Sequence, residues 1–171
     1  MQQKTKVGIG AGVGAIALAL ASALIPSTTG VELVKQHEGL RQKAYLDAVG
    51  IPTICYGSTR KVFLGQNASL QECEERLQED LTYAGKGVAR LVTVKLSQGQ
   101  YNALVSFVYN VGETKFRSST LLRKLNSGDC YGASREFDRW VYAKGKKLRG
   151  LVTRRAQERQ MFEQDCKAWV S

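Results

Sequence analysis

The residues from Val7 to Ile25 carry no charge, and this run constrains the chain more than any other feature of its sequence. The run is 19 residues long, and Lys4 and Lys6 precede it. As a helix it would extend about 28 Å, close to the roughly 30 Å thickness of the hydrocarbon core of a membrane. The sequence therefore predicts that residues 7–25 enter the cytoplasmic membrane, with both lysines in the cytoplasm and the rest of the chain exported.

The same run is only weakly hydrophobic, because ten of its residues are glycine or alanine. Each glycine costs about 1 kcal/mol of helix propensity relative to alanine. Three interpretations stay open: a signal peptide cleaved near Ala21-Ser22-Ala23, a permanent single-span anchor, and an uncleaved anchor weak enough to leave the membrane again. We favour the third. The chain then divides into an N-terminal segment with its linker, residues 1–30, and one globular domain, residues 31–171.

Four cysteines lie in the predicted globular domain: Cys55, Cys73, Cys130 and Cys166. Because an exported chain meets an oxidising compartment, this even number favours two disulfides over four buried thiols. Of the three possible pairings, we favour Cys55–Cys73 and Cys130–Cys166, each of which joins neighbours within one half of the chain. No CxxC pair is present and His37 is the only histidine, so we expect no zinc site.

The net charge of +10 and the sequence pI of about 9.6 indicate attraction to polyanions. Most of the basic residues lie between Lys86 and Lys167, with denser runs at residues 144–149 and 154–155. No zinc-finger spacing and no aromatic RNA-recognition pattern accompanies them. Because the chain also has an export segment, we expect no nucleic-acid partner.

The pattern of apolar residues and caps predicts an α+β protein that is mostly helical. Capping boxes at Ser69–Glu72 and Ser97–Gln100 open two helices, and the first of them is long enough to join two lobes. The small N-terminal lobe contains a β-hairpin with its turn at residues 47–50, and the C-terminal lobe is helical. The predicted helices span residues 31–37, 69–90, 97–111, 119–126, 130–142 and 151–169, and the hairpin spans residues 44–56.

Three polar side chains fall close together around this hairpin: Glu38 at a helix end, Asp47 in the turn and Thr53 in the returning strand. A hairpin doubles the chain back, so the three can converge on one cleft. Glycoside hydrolysis needs such a set, with one carboxylic acid to protonate the leaving oxygen and one carboxylate to act on the other side. By spacing alone, however, an aspartate in a turn and a glutamate at a helix end are usually solvated or capping residues.

The surrounding string, EGLRQKAYLDAVGIPTICYG at residues 38–57, makes the interpretation more specific. It resembles the signature of the phage lysozymes, the endolysins of glycoside hydrolase family 24. The resemblance continues through residues 106–126 and 150–162 and covers residues 31–169. The weak anchor in front is similar to that of signal-anchor-release endolysins. The matching positions are Glu38, Gly39, Arg41, Lys43, Tyr45, Asp47, Gly50, Thr53 and Gly57.

The resemblance implies a lysozyme-like fold and an inverting muramidase that cleaves the β-1,4 bond between N-acetylmuramic acid and N-acetylglucosamine in peptidoglycan. Glu38 would be the general acid, Asp47 the electrostatic partner or base, and Thr53 the residue that positions the water. Tyr109 and Asn110 would line the cleft, and the reaction would need no metal and no cofactor. We expect a monomer, first bound to the host inner membrane through residues 7–25 and then released into the periplasm.

Arg154, Arg155 and Glu158 are interpreted as a structural ion-pair cluster near the junction of the lobes rather than as substrate contacts. His37, beside Glu38, is expected to be an exposed residue at the end of a helix. Two alternatives remain on the same fold, a lytic transglycosylase and a wall-binding module without catalysis.

Overall fold

The computed structural model describes residues 25–169 and confirms a mostly helical α+β fold. Among these residues no helix is both long and apolar enough to cross a bilayer. The predicted anchor, apart from Ile25, lies outside the described residues. The elements are α1 (Thr28–Glu38), β1 (Arg41–Leu46), β2 (Pro52–Cys55), α2 (Leu70–Leu91), α3 (Gln98–Val111), α4 (Glu113–Arg117), α5 (Thr120–Asn126), α6 (Cys130–Glu136), β3 (Tyr142–Ala143), β4 (Lys146–Lys147) and α7 (Arg149–Glu163), with 3₁₀ turns at Phe137–Arg139 and Cys166–Trp169.

The small lobe is built on the predicted hairpin. Strands β1 and β2 pair antiparallel, with Tyr45 opposite Thr53. The chain then returns along the other side of β1, where Ala44 and Gln42 exchange backbone hydrogen bonds of 2.8–2.9 Å with residues 66 and 68. A disulfide from Cys55 to Cys73 fixes the end of β2 to α2, as the sequence favours. The sheet is therefore attached covalently to the long helix.

Helix α2 joins this lobe to the helical part of the molecule. It begins at the predicted capping box, in which Ser69 and Glu72 each accept a hydrogen bond from the other's backbone N–H. Its 22 residues span about 33 Å. One face is buried, and the apolar side chains on it are Cys73, Leu77, Leu81, Ala84 and Val88.

Helix α3 is the centre of the helical part. Every residue from Gln100 to Val108 is buried. The apolar residues at helical spacing, at positions 101, 104, 105, 108 and 111, predict burial of one face only. The difference arises because α1, α2 and α7 all pack against α3, so no side of it faces water. Its Phe107 ring meets the edges of three other aromatic rings at 5.2–6.1 Å, those of Phe116, Phe137 and Trp140.

The region after α5 departs most from expectation. The predicted helix over residues 130–142 ends at Glu136, and a short hairpin, β3–β4, follows. Lys144 and Gly145 form its turn with φ of +49° and +74°, the backbone of a two-residue type I′ turn. Helix α7 begins at Arg149 and ends at Glu163, shorter at its C-terminal end than predicted. The predicted Cys130–Cys166 disulfide joins α6 to the final 3₁₀ turn.

Helix α1 is attached at its first turn to α3. Asn102 accepts a hydrogen bond from the Ser27 backbone N–H at 3.1 Å and donates its side-chain amide to the Ser27 hydroxyl at 2.7 Å. A Cβ at Gly30 would lie 2.7 Å from Cγ of Asn102, so only glycine allows this approach. The start of α1 therefore has a fixed position on the core.

Candidate active site

Glu38 is the last residue of α1, and the helix ends there because Gly39 takes a φ of +67°. Its carboxylate is mostly buried, with 20% of the side chain exposed. Oε1 accepts a hydrogen bond from Nη1 of Arg154 at 2.5 Å. The neighbouring His37 donates from Nε2 to Gln157 at 2.5 Å, so two residues of α7 fix the end of α1. His37 is half-buried rather than exposed as expected, and burial lowers the pKa of its imidazole.

Arg154 belongs to the buried cluster that the sequence indicates. Its Nε lies 3.1 Å from Oε1 of Glu158, and its Nη2 donates to the Ser106 carbonyl at 3.1 Å. Arg155 also donates to Glu158, at 2.8 Å, and lies over the Phe107 ring at 4.9 Å. Burial raises the pKa of the Glu158 carboxyl, and the two guanidinium groups oppose that rise. The cluster is a structural ion-pair network, but Arg154 also extends it to Glu38.

The second oxygen of Glu38 faces a glycine and a tyrosine. A Cβ built at Gly57 would lie 3.2 Å from Oε2 of Glu38 and 3.9 Å from the Tyr109 hydroxyl. Tyr109 donates to the Tyr56 carbonyl at 2.5 Å, and burial raises the pKa of its phenol, so it stays a neutral donor. A cavity of about 200 Å³ opens beside Gly57 and Tyr109. Oε2 of Glu38 therefore lies on the side of Gly57, a residue that lines the cavity.

Asp47 lies in the turn between β1 and β2 and is positioned by local backbone groups. Its Oδ1 accepts hydrogen bonds from the N–H groups of Val49 at 2.9 Å and Ile51 at 2.8 Å. These bonds, that to Ile51 first, lower the pKa of the Asp47 carboxyl, and the charge of Lys144 adds to the effect. Asp47 is therefore ionised at neutral pH.

Thr53 forms a hydrogen bond with Ile51, the residue that Asp47 also contacts. Thr53 is a buried residue, and its hydroxyl donates to the Ile51 carbonyl at 2.9 Å. That carbonyl also accepts from the Asp47 backbone N–H at 3.0 Å, and the Asp47 carboxylate accepts from the Ile51 N–H. Asp47 and Thr53 therefore both form hydrogen bonds with the backbone of one residue, Ile51.

The turn that carries Asp47 is in contact with the C-terminal part of the molecule. Nζ of Lys144, in the β3–β4 turn, donates to the Ala48 carbonyl at 3.0 Å. Two residues after β4, α7 begins to rise toward Arg154, the partner of Glu38. The β3–β4 hairpin therefore stands between the Asp47 turn and the helix that positions Glu38.

The predicted site residues fall into two groups in the structure. Glu38 and Tyr109 lie together beside Gly57, whereas Asp47 and Thr53 lie together at Ile51. Asn110 is exposed at the end of α3, and in the part of the chain that the structure describes no hydrogen bond or ion pair joins it to either group. No cluster of possible metal ligands occurs among residues 25–169.

Two residues near the site are not identified as functional from the sequence. Arg154 is recognisable as part of an ion-pair cluster from its spacing to Glu158, but its contact with Glu38 crosses 116 residues. Lys144 sits in a basic run, and the signal that it forms a turn is the Lys-Gly dipeptide, which is weaker than Asn-Gly or Asp-Gly.

Known proteins share this arrangement of sequence and fold. The phage lysozyme family model matches residues 35–158. The chain is 46% identical over 123 residues to a SAR-endolysin of Bacteriophage PS119, covering 71% of this chain and 74% of that protein. Among solved structures, it is similar to the muramidase domain of SpmX from Asticaccaulis excentricus, with a TM-score of 0.75, 36% identity, and coverage of 80% of this chain and 96% of the other. A mutant of the P22 lysozyme gives a TM-score of 0.72 and 38% identity over 81% of this chain and 97% of the other.

The family match covers well over half of the chain and includes both the hairpin with Asp47 and the helix with Arg154. The solved structures cover nearly their whole length on the same fold. The chain belongs to the phage lysozyme family.

Proposed function

We propose that this protein is a muramidase endolysin that hydrolyses the β-1,4 bond between N-acetylmuramic acid and N-acetylglucosamine in peptidoglycan. The observation that carries the proposal is the contrast between two carboxyl groups, one just before the β1–β2 hairpin and one in its turn. Glu38 is mostly buried at a helix end, whereas Asp47 is kept ionised by backbone N–H groups. A proton donor and an ionised partner in different surroundings are what glycoside hydrolysis requires.

Glu38 acts as the general acid. Because its Oε1 accepts from Arg154, the transferable proton lies on Oε2, the oxygen on the side of Gly57. When that proton passes to the glycosidic oxygen, the guanidinium stabilises the carboxylate that remains. A positioned general acid contributes roughly 10²–10⁴-fold to the rate.

Asp47 and Thr53 position the attacking water. The Thr53 proton is already donated to Ile51, so its oxygen can only accept a hydrogen bond from the water. If the water gives one proton to Thr53 and directs the other to Asp47, its lone pair is left for the anomeric carbon. An inverting enzyme needs carboxyl groups roughly 6.5–9.5 Å apart to leave room for that water.

The N-terminal segment controls when the enzyme acts. Residues 7–25 attach the protein to the inner membrane, with residues 31–171 in the periplasm. When the membrane potential collapses, the segment leaves the membrane without being cleaved. Its weak hydrophobicity supports this proposal, as does the similarity to a protein named SAR-endolysin. Cell fractionation before and after addition of an uncoupler tests it, and full-length protein that stays in the membrane pellet after depolarisation contradicts it.

The activity is tested with purified peptidoglycan and mass spectrometry of the released muropeptides. We expect products with reducing N-acetylmuramic acid ends, and a loss of at least about 10²-fold in rate for Glu38→Gln. Anhydro-muramic products would instead indicate a lytic transglycosylase. Binding without any release of muropeptides would indicate a wall-binding module.

A further inference from the structure

The cavity beside the proposed proton donor is built only in part from residues of the family signature. Gly57, which lies beside Oε2 of Glu38, forms one part of its wall together with Tyr109. Another part comes from Arg60, in the loop after Gly57, and from Tyr83 on α2. Neither Arg60 nor Tyr83 is among the positions by which the chain resembles the phage lysozymes. The cavity therefore adjoins the active site and adds side chains that are particular to this chain.

Tyr83 presents an aromatic ring at this cavity. The residue is 60% exposed, although it is large and lies in the middle of a helix whose other face is buried. It takes no part in the buried apolar cluster that the structure describes. A single exposed aromatic residue is ordinary on a protein surface. This one differs because it lines a cavity and has a fixed cation beside its ring.

That cation is the guanidinium of Arg60, whose central carbon lies 5.3 Å from the centre of the Tyr83 ring. Its Nε donates to Oδ1 of Asp80 at 2.8 Å, and its Nη2 lies 2.6 Å from the same oxygen. The Arg60 carbonyl accepts a hydrogen bond from Nη1 of Arg76 at 3.3 Å. A guanidinium has five N–H donors. Arg60 is thus held at both its backbone and its side chain, and it has donors left for a ligand.

The position of the cavity indicates which part of the substrate reaches it. In the proposed reaction Asp47 and Thr53 hold the water, and Glu38 gives its proton to the leaving oxygen. An inverting enzyme activates that water on the face of the sugar ring opposite to the leaving oxygen. The sugar that carries the leaving oxygen is therefore expected on the Glu38 side. Gly57 and Tyr109 of that side line the cavity, whereas Asp47 and Thr53 do not.

We propose that Tyr83 and Arg60 bind the N-acetylglucosamine unit that leaves when the glycosidic bond is cut. This inference rests on the proposed muramidase function and adds to it a binding site for the leaving sugar. One face of a pyranose ring consists of C–H groups, which can pack on the Tyr83 ring, and its edges carry oxygens that can accept from Arg60. The cavity of about 200 Å³ is smaller than the roughly 300–1,000 Å³ of a site for a drug-sized ligand, as a single sugar requires.

The test measures kcat/KM of the full-length protein on purified peptidoglycan. For Tyr83→Ala we expect a fall of about three- to tenfold, the size of the effect of losing one aromatic contact. Tyr83→Phe keeps the ring and should therefore lose less than Tyr83→Ala. Phe63→Ala is the matched control, because Phe63 is 66% exposed and does not line this cavity. The control should keep the wild-type kcat/KM, and an equal fall in it overturns the proposal.

Inhibition by a free sugar separates a loss of binding from a loss of folded protein. Methyl N-acetyl-β-glucosaminide should compete for the cavity and slow the wild-type enzyme. Its inhibition constant should rise about three- to tenfold for Tyr83→Ala and stay at the wild-type value for Phe63→Ala. An inhibition constant that is the same for wild type and Tyr83→Ala shows that the sugar does not bind at Tyr83, and the proposal is then wrong.

Failure of the muramidase function itself has a different signature. In that case the wild-type protein releases no reducing N-acetylmuramic ends from peptidoglycan, whether or not the free sugar is present. An active wild-type enzyme whose kcat/KM is unchanged by Tyr83→Ala leaves the muramidase function in place and removes only the site for the leaving sugar.

Discussion

The two carboxylates of the candidate site are positioned in opposite ways. Asp47 is fixed by hydrogen bonds to residues two and four positions away in the same turn. Glu38 is fixed by a guanidinium 116 residues distant, within a buried network on α7. The position of Asp47 thus depends on the local geometry of one turn, whereas that of Glu38, the proposed proton donor, depends on the correct packing of the whole helical part. The difference predicts that destabilising substitutions in the core disturb the position of Glu38 more than that of Asp47.

The largest effect is expected from removing Arg154. Arg154→Gln leaves the mostly buried Glu38 without its ion-pair partner and removes one of the two guanidinium groups that contact Glu158, which should lower the free energy of unfolding by about 3–5 kcal/mol. Asp47→Asn should change it by no more than about 0.5 kcal/mol, because Oδ1 of asparagine still accepts both backbone bonds. Denaturant titration measures both.

Arg159→Gln is the control for this prediction, since it removes an arginine from the same helix. Its ion pairs with Asp138 and Glu163 are partly exposed, so the loss should be at most about 1 kcal/mol. An Arg154 variant no less stable than the Arg159 variant would contradict a role of the buried network in positioning Glu38.

The two disulfides sharpen the same comparison. Their partners are 18 and 36 residues apart, so loop closure predicts losses of about 3 and 4 kcal/mol for Cys55→Ala/Cys73→Ala and Cys130→Ala/Cys166→Ala. The loss of activity, by contrast, should be larger for Cys55→Ala/Cys73→Ala, because Cys55 lies two residues after Thr53 in β2. The measurements are unfolding free energy and kcat of the folded fraction. Equal losses of kcat would show that the small lobe needs no covalent support.

Gly57 tests the space beside Glu38. Gly57→Ala adds a Cβ 3.2 Å from Oε2 of Glu38 at a position where φ is +88°, so we expect a stability loss of about 1–2 kcal/mol and about a tenfold loss in kcat/KM. Gly128→Ala has a similar φ of +84° but no atom within 4 Å of the new Cβ. It should therefore show only the stability loss, and a matching loss of activity there would refute the role of Gly57.

The smallest expected effect concerns the pH profile. Lys144 is one of the groups that lower the pKa of Asp47, so Lys144→Gln should let that pKa rise toward its ordinary value of 3.8. Because Asp47 is proposed to act in its ionised form, activity on purified peptidoglycan should then be lost at a higher pH as the solution is acidified. The position of the acid limb of kcat/KM is measured, with Lys95→Gln as control. A limb that stays in place shows that the backbone bonds alone set the ionisation of Asp47.

The sequence predicts the Asp47 region better than the Glu38 region for the same physical reason. The turn at residues 47–50, the strand with Thr53 and the capping boxes are local features, and the structure confirms the hairpin and both caps. The disulfide pairing is also confirmed. It could be predicted because each bond joins two cysteines that follow one another along the chain. The contact of Arg154 with Glu38 depends on how α1 and α7 pack, and no local pattern contains that information.

The β3–β4 hairpin shows a second limit of prediction from the sequence. Apolar residues at helical spacing, among them Phe137 and Val141, predict a helix that continues to residue 142. The chain instead leaves the helix after Glu136, and the positive φ values of Lys144 and Gly145 turn it back toward α7. Tertiary contacts outweigh helix propensity here, because Trp140 packs against Phe107 and Lys144 reaches Ala48.

The attachment of Ser27 to Asn102 has a mechanical consequence. The 11 residues of α1 form a stiff rod about 16 Å long, with Ser27 before its first turn and Glu38 at its last. Tension on the chain before Ser27 would therefore act on a lever whose far end is the proposed proton donor. The proposed membrane anchor before Ser27 and the proposed proton donor Glu38 are therefore linked by a single helix.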